Sequence, residues 1–318
     1  MPGQLYAVGS LGGTGIGSVS YLTDRVRSVA QPMFRLRQLI DAQEAIGKGR
    51  GDTWLFDKKK NVATQGGTLI ETNTIPETQF TVVQGSGTIT EYGNSVPWTM
   101  KAQTLDQIEI DSLTEQSLRD DMVKVLESAA GAQFAATDFI AVCVSTASVA
   151  FTTNGTATAT ATADLTGANV RSVVDYMRKK LIPKYDGMNY VCVASISSLA
   201  GLHADTATGG WIDLSKYTGE FAKNPMNGEV GTFYRTRFME ETGYLSNTIG
   251  NGSTRGQAVF LGADTVYEAV AIPEEIKVKN SVDYGRDLGI AWYALLGFKI
   301  VWNFAADGEQ HVLFVTSA

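Results

Sequence analysis

Residues 112–138, SLTEQSLRDDMVKVLESAAGAQFAATD, decide how this chain is read. Leu118, Met122, Val125, Ala129, Ala132 and Ala136 recur at steps of four and three, which puts a narrow apolar seam on one face of a helix. Asp120, Asp121, Lys124 and Glu127 are expected to stay in water on the other face. Ser112 with Glu115 has the form of a capping box and marks the expected start. At about 1.5 Å per residue the rod would be roughly 40 Å long. A thin-seamed rod fed by hairpins serves assembly more often than catalysis; the alternative is an ordinary core helix.

Upstream, residues 1–24 are rich in Gly and Ser (GSLGGTGIGSVS), with too little apolar surface to fold alone, and predict an extended arm that must lie on something. Residues 32–46 predict a short helix, with Pro32 in its first turn, Met33, Leu36, Leu39 and Ile40 at helical spacing, and Gly47, Gly49 and Gly51 as its breakers. DTWLFD at 52–57 and residues 78–83 predict the two strands of a long hairpin with Gly66 and Gly67 at its tip. That hairpin carries Arg50, Asp52, Asp57, Lys58, Lys59, Lys60, Glu71 and Glu77 but few residues able to form a core, and a lone two-stranded ribbon is marginal in water. It is expected to need a neighbour; the alternative is a loose surface loop. Residues 88–102 continue as strand, with Pro97 marking an edge or a bulge.

Downstream, 140–152 is strand-like, and the alternating Thr and Ala of TNGTATATATAD read as a weak strand or linker into a second lobe at 164–287. There, Thr166 caps a helix carrying Val170, Val173, Val174, Met177 and Leu181, ended by Pro183. A buried strand at 190–194 and a short helix to His203 follow. Residues 209–232 form a long Gly- and Asn-rich loop with Trp211, Tyr217 and Phe221 interleaved, costly unless it meets a partner. Strands near 237–243 and 258–262 come next, and 288–302 and 311–316 are expected to return to the first lobe's sheet.

The 318 residues, 44% hydrophobic and 19% charged, can build a sizeable core in one or two domains. The net charge of −7 is spread thinly, which argues against a tight grip on a phosphate backbone. Cys143 and Cys192 each sit in an apolar, strand-like run, the pattern of reduced, buried thiols in the cytoplasm. The early sequence lacks the charged and apolar regions of a secretory signal, and 139–163 is too rich in Thr to span a bilayer.

Catalytic and metal patterns are absent from the sequence. His203 and His311 are the only histidines, with no Cys-x-x-Cys and no His-Glu cluster. Ser195, Ser197, His203 and Asp205 hold the letters of a triad but crowd one strand-helix unit, whereas a triad joins distant segments. Gly13, Gly15 and Gly17 miss the dinucleotide spacing, and no other cofactor motif stands out. The pairs Asp120-Asp121, Glu240-Glu241 and Glu274-Glu275 are adjacent, so their members point apart. Arg178, Lys179, Lys180 and Lys184 lie at a helix C-terminus, where the dipole favours cations.

An arm, a long hairpin, a rod-like helix, an inserted α/β lobe and a returning sheet together resemble the Hong-Kong-97-like major capsid proteins of tailed bacteriophages. TIPETQFTVVQGSGTITEYGNSVPWTMKAQTLDQIEIDSLTEQSLRDDM (74–122) resembles the hairpin-to-helix segment of the branch typified by the coat protein of phage N-four. NGEVGTFYRTRFMEETG (227–243) and VFLGADTVYEAVAIP (259–273) resemble its later lobe. The resemblance implies an α+β fold with an N-terminal arm and short helix (1–47) and an extended loop (48–83). It further implies a peripheral domain (84–163 and 288–318) with a spine helix, an axial domain (164–287), and no enzyme activity, cofactor or metal.

It implies too a shell of hexamers and pentamers of this chain, enclosing DNA without sequence-specific contacts, in a virion assembled in the host bacterial cytoplasm. A separate scaffolding protein, a portal and a decoration protein are the implied partners. Some relatives crosslink a hairpin lysine to a neighbour; three adjacent lysines here read as a charged rim of a non-covalent shell. Interface candidates are the eight charged hairpin residues with Trp211, Tyr217 and Phe221. Gly131 is the candidate hinge of the spine helix, with a close backbone approach as the equal alternative. An encapsulin-like cellular compartment and a small-oligomer α/β enzyme or binding protein are the alternative functions.

Overall fold

The computed structural model describes residues 34–43, 51–60, 66–72, 74–75, 77, 80–105, 110–207, 210–211, 229–280 and 283–317. The expected arm, the break at 44–50 with Arg50, and Tyr217 and Phe221 lie outside the described residues. In chain order the elements are β1 (Asp41–Gln43), β2 (Thr53–Lys59), β3 (Val82–Thr88), β4 (Thr90–Thr99), α1 (Met100–Leu105), α2 (Ile110–Ala135), β5 (Ile140–Ser145) and β6 (Ser148–Thr152). The second half adds α3 (Gly167–Lys179), β7 (Tyr190–Ala194), α4 (Ile196–His203), β8 (Glu229–Phe233), β9 (Thr236–Glu240), β10 (Ala258–Leu261), β11 (Val266–Val278), β12 (Asp287–Ile300) and β13 (Val312–Val315).

Three sheets result. A seven-stranded sheet runs β6-β5-β13-β10-β7-β9-β8, a four-stranded sheet runs β1-β11-β12-β4, and β2 pairs with β3 alone. Strand alternation tells why the large sheet sits in the middle. Cys192, Ala194, Ala258, Phe260, Leu313 and Val315 face α3 and α4, meeting Val170, Val173, Val174, Met177, Leu199 and Leu202. Their sequence neighbours Val191, Val193, Val259, Leu261, Val312 and Phe314 face the other way, into a core shared with α2 and with Trp292, Ala294, Leu296 and Phe298 of β12. Strands buried on both faces read as unbroken apolar runs, and that is how YVCVA, AVFL and VLFV are written.

The long helix is present, shifted from its expected bounds. It begins at Ile110, so Ser112 lies inside its first turn and the expected capping box does not mark the start. It ends at Ala135, after which the Thr137 hydroxyl donates to the Val312 carbonyl and accepts from the Phe139 amide. Leu118 is buried, and Met122, Val125 and Ala129 pack partly against the core, as the seam predicts. Ala132 and Ala136 are exposed instead, because the buried stripe runs through Leu126, Ala130, Gly131 and Phe134. Glu127, expected in water, is 3% exposed.

Other expectations fare unevenly. Thr166 caps α3 by accepting from the Asn169 amide, and Pro97 lies in β4 at a sheet edge. Leu181 leaves the helix in the left-handed region (φ 59°) and is exposed, its expected core place taken by Ile182. Among described residues of 32–46 there is a 3₁₀ turn (Arg37–Leu39) and a strand, not an α-helix, although Leu36 and Leu39 do face the core. The Thr/Ala stretch forms no strand; Ala157, Ala159 and Ala161 pack on Ile140 and Val142. Strand membership also differs from the sequence reading. β12 returns to β4, but β5, β6 and β13 join the seven-stranded sheet, while β11, within the expected axial segment, pairs with β1 and β12 in the small one.

Candidate assembly surfaces

Residues 34–39, where the expected arm would join the body, and the β2–β3 hairpin are each held to the body by a buried charge. At the arm root, the Glu127 carboxylate accepts from the Leu36 amide at 2.5 Å and the Arg37 amide at 3.2 Å. Burial pushes the Glu127 carboxyl up from its ordinary range; these backbone N–H bonds oppose the rise and the nearby Glu241 carboxylate adds to it. Glu241, fully buried, accepts from the amides of Gly243, Tyr244 and Leu245 at 2.6, 2.6 and 2.8 Å, which folds that loop over α2. Arg37 then donates to Glu268 at 2.6 Å and pairs with Glu274, both on β11. Elsewhere on α2, Asp121 accepts from the indole of Trp292 and the amide of Asn94, both at 2.9 Å.

The hairpin root is β2 with β3, in register from Thr53↔Thr88 to Lys59↔Val82. The pairing is as expected, although the returning strand starts later than residue 78. Trp54 and Phe56, alternate residues on one face, lie across Gly87 and Gly85; a Cβ on either glycine would meet those rings at 2.5 Å. Flattened this way, the two rings (centroids 5.0 Å apart) pack on Ile89, Ala269 and Val301. Lys58 continues the same face. It is 7% exposed and donates to the Val301 carbonyl at 2.6 Å, with the Phe304, Phe56 and Trp302 rings 4.4, 5.3 and 6.0 Å from Nζ. Burial lowers the affinity of its amine for a proton, with Glu309 acting in the opposite sense. The expected charged rim of three lysines is therefore two: Lys59 is exposed over Phe80, and half-buried Lys60 lies 3.8 Å from Glu309.

Beyond the root the hairpin changes character. Leu69, Ile70, Ile75 and Phe80, with Val82 at the root's last pair, are each at least half exposed, and Glu71 and Glu77 are exposed too. Asp52 and Asp57 are exposed, Asp57 accepting from Gln84 across the ribbon. Trp211, expected in a partner-seeking loop, is buried against His203, Phe233 and Phe238. Gly131 lies under Tyr244, whose ring carbon would sit 2.5 Å from a Cβ there. Such a close approach is enough to call for a glycine at this position.

The triad letters do not assemble. Asp205 is spent on the amides of Gly167 and Ala207, and Ser195 Oγ is buried without a hydrogen bond. Both cysteines are free and buried, with the Cys143 thiol pushed up to about 12 and Cys192 also raised by burial. Among the described residues no group of His, Cys, Asp and Glu could hold a metal ion, and no helix is long and apolar enough to cross a membrane.

No protein-family model and no curated protein matches this sequence. Solved structures do match, over nearly the whole chain. A chain of the Cyanophage Pam1 capsid asymmetric unit superposes with a TM-score of 0.64 at 15% identity, covering 95% of this chain and 97% of that one. For the capsid of Ralstonia phage GP4 the TM-score is 0.62 at 14% identity, covering 95% and 96%. For the bacteriophage PhiM1 mature capsid it is 0.63 at 13%, covering 98% and 95%. The fold is thus the Hong-Kong-97-like capsid fold.

Proposed function

We propose that this chain is the major capsid protein of a tailed phage, and that its activity is to associate with copies of itself into the hexamers and pentamers of an icosahedral shell around DNA. The observation that carries the reading is the hairpin. In a chain whose fold is that of capsid subunits, a ribbon rooted in the body ends in exposed Leu69, Ile70, Ile75 and Phe80, apolar surface that a second copy would cover. The charged hairpin residues would form the polar rim of that contact, and residues 1–31 would lie on a neighbour as the arm. α2 with the four-stranded sheet would form the peripheral unit, and the seven-stranded sheet with α3 and α4 the axial one. The resemblance of 74–122, 227–243 and 259–273 supports the N-four-like branch. On this reading a separate scaffolding protein, a portal and a decoration protein complete a virion assembled in the host cytoplasm.

The test is sedimentation and electron microscopy of the purified chain beside a variant lacking residues 60–77. The parental chain gives capsomers or megadalton particles, and the variant stays a soluble, folded subunit. Intact particles from the variant would refute the hairpin's role. A parental chain that remains a monomer or dimer at every concentration would refute the function itself.

A further inference from the structure

The inward face of β2 reads Trp54, Phe56, Lys58, and the three side chains hold the hairpin to the body differently. The two rings cover Gly87 and Gly85 of the paired strand β3 and meet the body through Ile89, Ala269, Val301 and the edge of Tyr267, apolar contacts that carry no hydrogen bond to fix their direction. Lys58 makes the one directional bond of the three, from its ammonium to the carbonyl of Val301, inside a box walled by Phe304, Phe56 and Trp302. An apolar side chain of the same length would avoid the cost of drying a charge but would leave the Val301 carbonyl without this donor, so the two effects on stability oppose each other. What the ammonium adds is a single allowed position.

Position matters because the useful surface is far from the root. The seven steps from Lys59 to Gly66 reach at most about 24 Å when extended. Over that span an error of about 10° at the root displaces the tip by roughly 4 Å, whereas apolar contacts fail over about 1 Å.

We propose that Lys58 is a positioning residue for self-assembly: its ammonium, seated on the Val301 carbonyl among the three rings, sets the angle at which the hairpin leaves the body. The apolar tip is thereby aimed at its site on the neighbouring copy. The proposal rests on the assembly function and assigns a determinant within it.

Lys58→Met and Lys58→Arg in the full-length chain provide the test, each carrying spin labels at Gly66→Cys and at exposed Ser128→Cys; Cys143 and Cys192 are buried and escape labelling. Pulsed electron resonance reads the spread of hairpin angles, and turbidity reads the concentration needed for shells. Lys58→Met is expected to melt like the parent while its distance distribution broadens and the threshold concentration rises about tenfold, equivalent to about 1.4 kcal/mol. Lys58→Arg, which keeps a cation that donates and stacks, is expected to restore both. A Lys58→Met protein with a parental distance distribution overturns the proposal, as does one whose melting falls steeply, because either makes Lys58 an ordinary stabilising residue. If the parent itself forms no shells, the proposed function fails, and the distance distribution still decides whether Lys58 sets the angle.

Discussion

Removing the Glu127 carboxylate should free the arm root while leaving the body folded. In Glu127→Ala the amides of Leu36 and Arg37 lose their acceptor, and Leu36 is fully buried, so water does not readily replace it. Two hydrogen bonds to a charged group are worth about 1.5–3 kcal/mol each, against which the relief of a buried carboxylate must be set. A net loss of about 2–4 kcal/mol in the opening of residues 34–39 follows, equal to roughly 30- to 1,000-fold less protection at about 1.4 kcal/mol per decade.

Hydrogen exchange followed by mass spectrometry on a peptide covering 34–40 reads this directly, with a peptide from β7 as the internal standard. Glu127→Gln keeps one acceptor and loses the burial cost, so its effect should be smaller. Because the native carboxyl holds its proton to higher pH than the unfolded one, the folded chain binds more protons in that window. The parent should therefore lose ground against Glu127→Gln as pH rises through the carboxyl's elevated range, and gain it on acidification. Unchanged protection in Glu127→Ala would show that Leu36 and Leu39 hold the root by packing alone and would refute the electrostatic account.

Two further outcomes bear on the same body. Gly131→Ala gains about 1 kcal/mol of helix propensity but drives a methyl into the Tyr244 ring, a clash costing about 1–3 kcal/mol; a net fall in thermal stability is expected, and a rise would refute the close-approach account. His311, 4% exposed and stacked on Trp302, faces the carbonyls of Ala263 and Gly308 and has its pKa lowered by burial. Below the ordinary value of 6.5 the unfolded chain takes up the proton first, so stability should fall as pH drops, by at most about 1.4 kcal/mol per pH unit. In urea titrations from pH 7.5 to 5.5 the His311→Gln variant should lack that slope, and a parental slope in the variant would exclude His311 as its source.

Elements whose cause is local were legible in the sequence. Tyr190–Ala194, the Thr166 cap and the hairpin pairing each depend on a run of a few residues whose periodicity or side-chain oxygen determines the outcome. The partnered charges were not legible, because buried Glu127 and Lys58 and half-buried Asp121 look like any wet residue until their partners arrive from Leu36, Val301 and Trp292, across the fold. The seam on α2 slipped for a related reason. Met122–Val125–Ala129–Ala132 and Met122–Leu126–Ala130–Phe134 are both apolar, and only the sheets packed against the helix choose between them. Sheet membership was hidden in the same way. β11 carries Pro273 and three glutamates, which mask a strand whose outer edge, among the described residues, meets β1 alone and whose register with β12 shifts twice.

If the proposed assembly holds, the buried charges also change where its energy must come from. The sequence suggests that hairpin and arm cannot satisfy their own surfaces, yet the roots are satisfied: Trp54, Phe56 and Lys58 rest on the chain's own body, and Leu36 and Leu39 belong to its core. What remains uncovered on the described hairpin is Leu69, Ile70, Ile75, Phe80 and Val82. At about 1.5–3 kcal/mol per side chain fully buried, they offer roughly 7–15 kcal/mol before the cost of ordering the ribbon. A contact of that size is strong enough to hold when many close together, and weak enough singly to release a misplaced subunit. Most of it lies beyond the paired strands, so on this reading the root can be tuned by charge, at Lys58 for the ribbon and at Glu127 for residues 34–39, with little change to the surface that would bind.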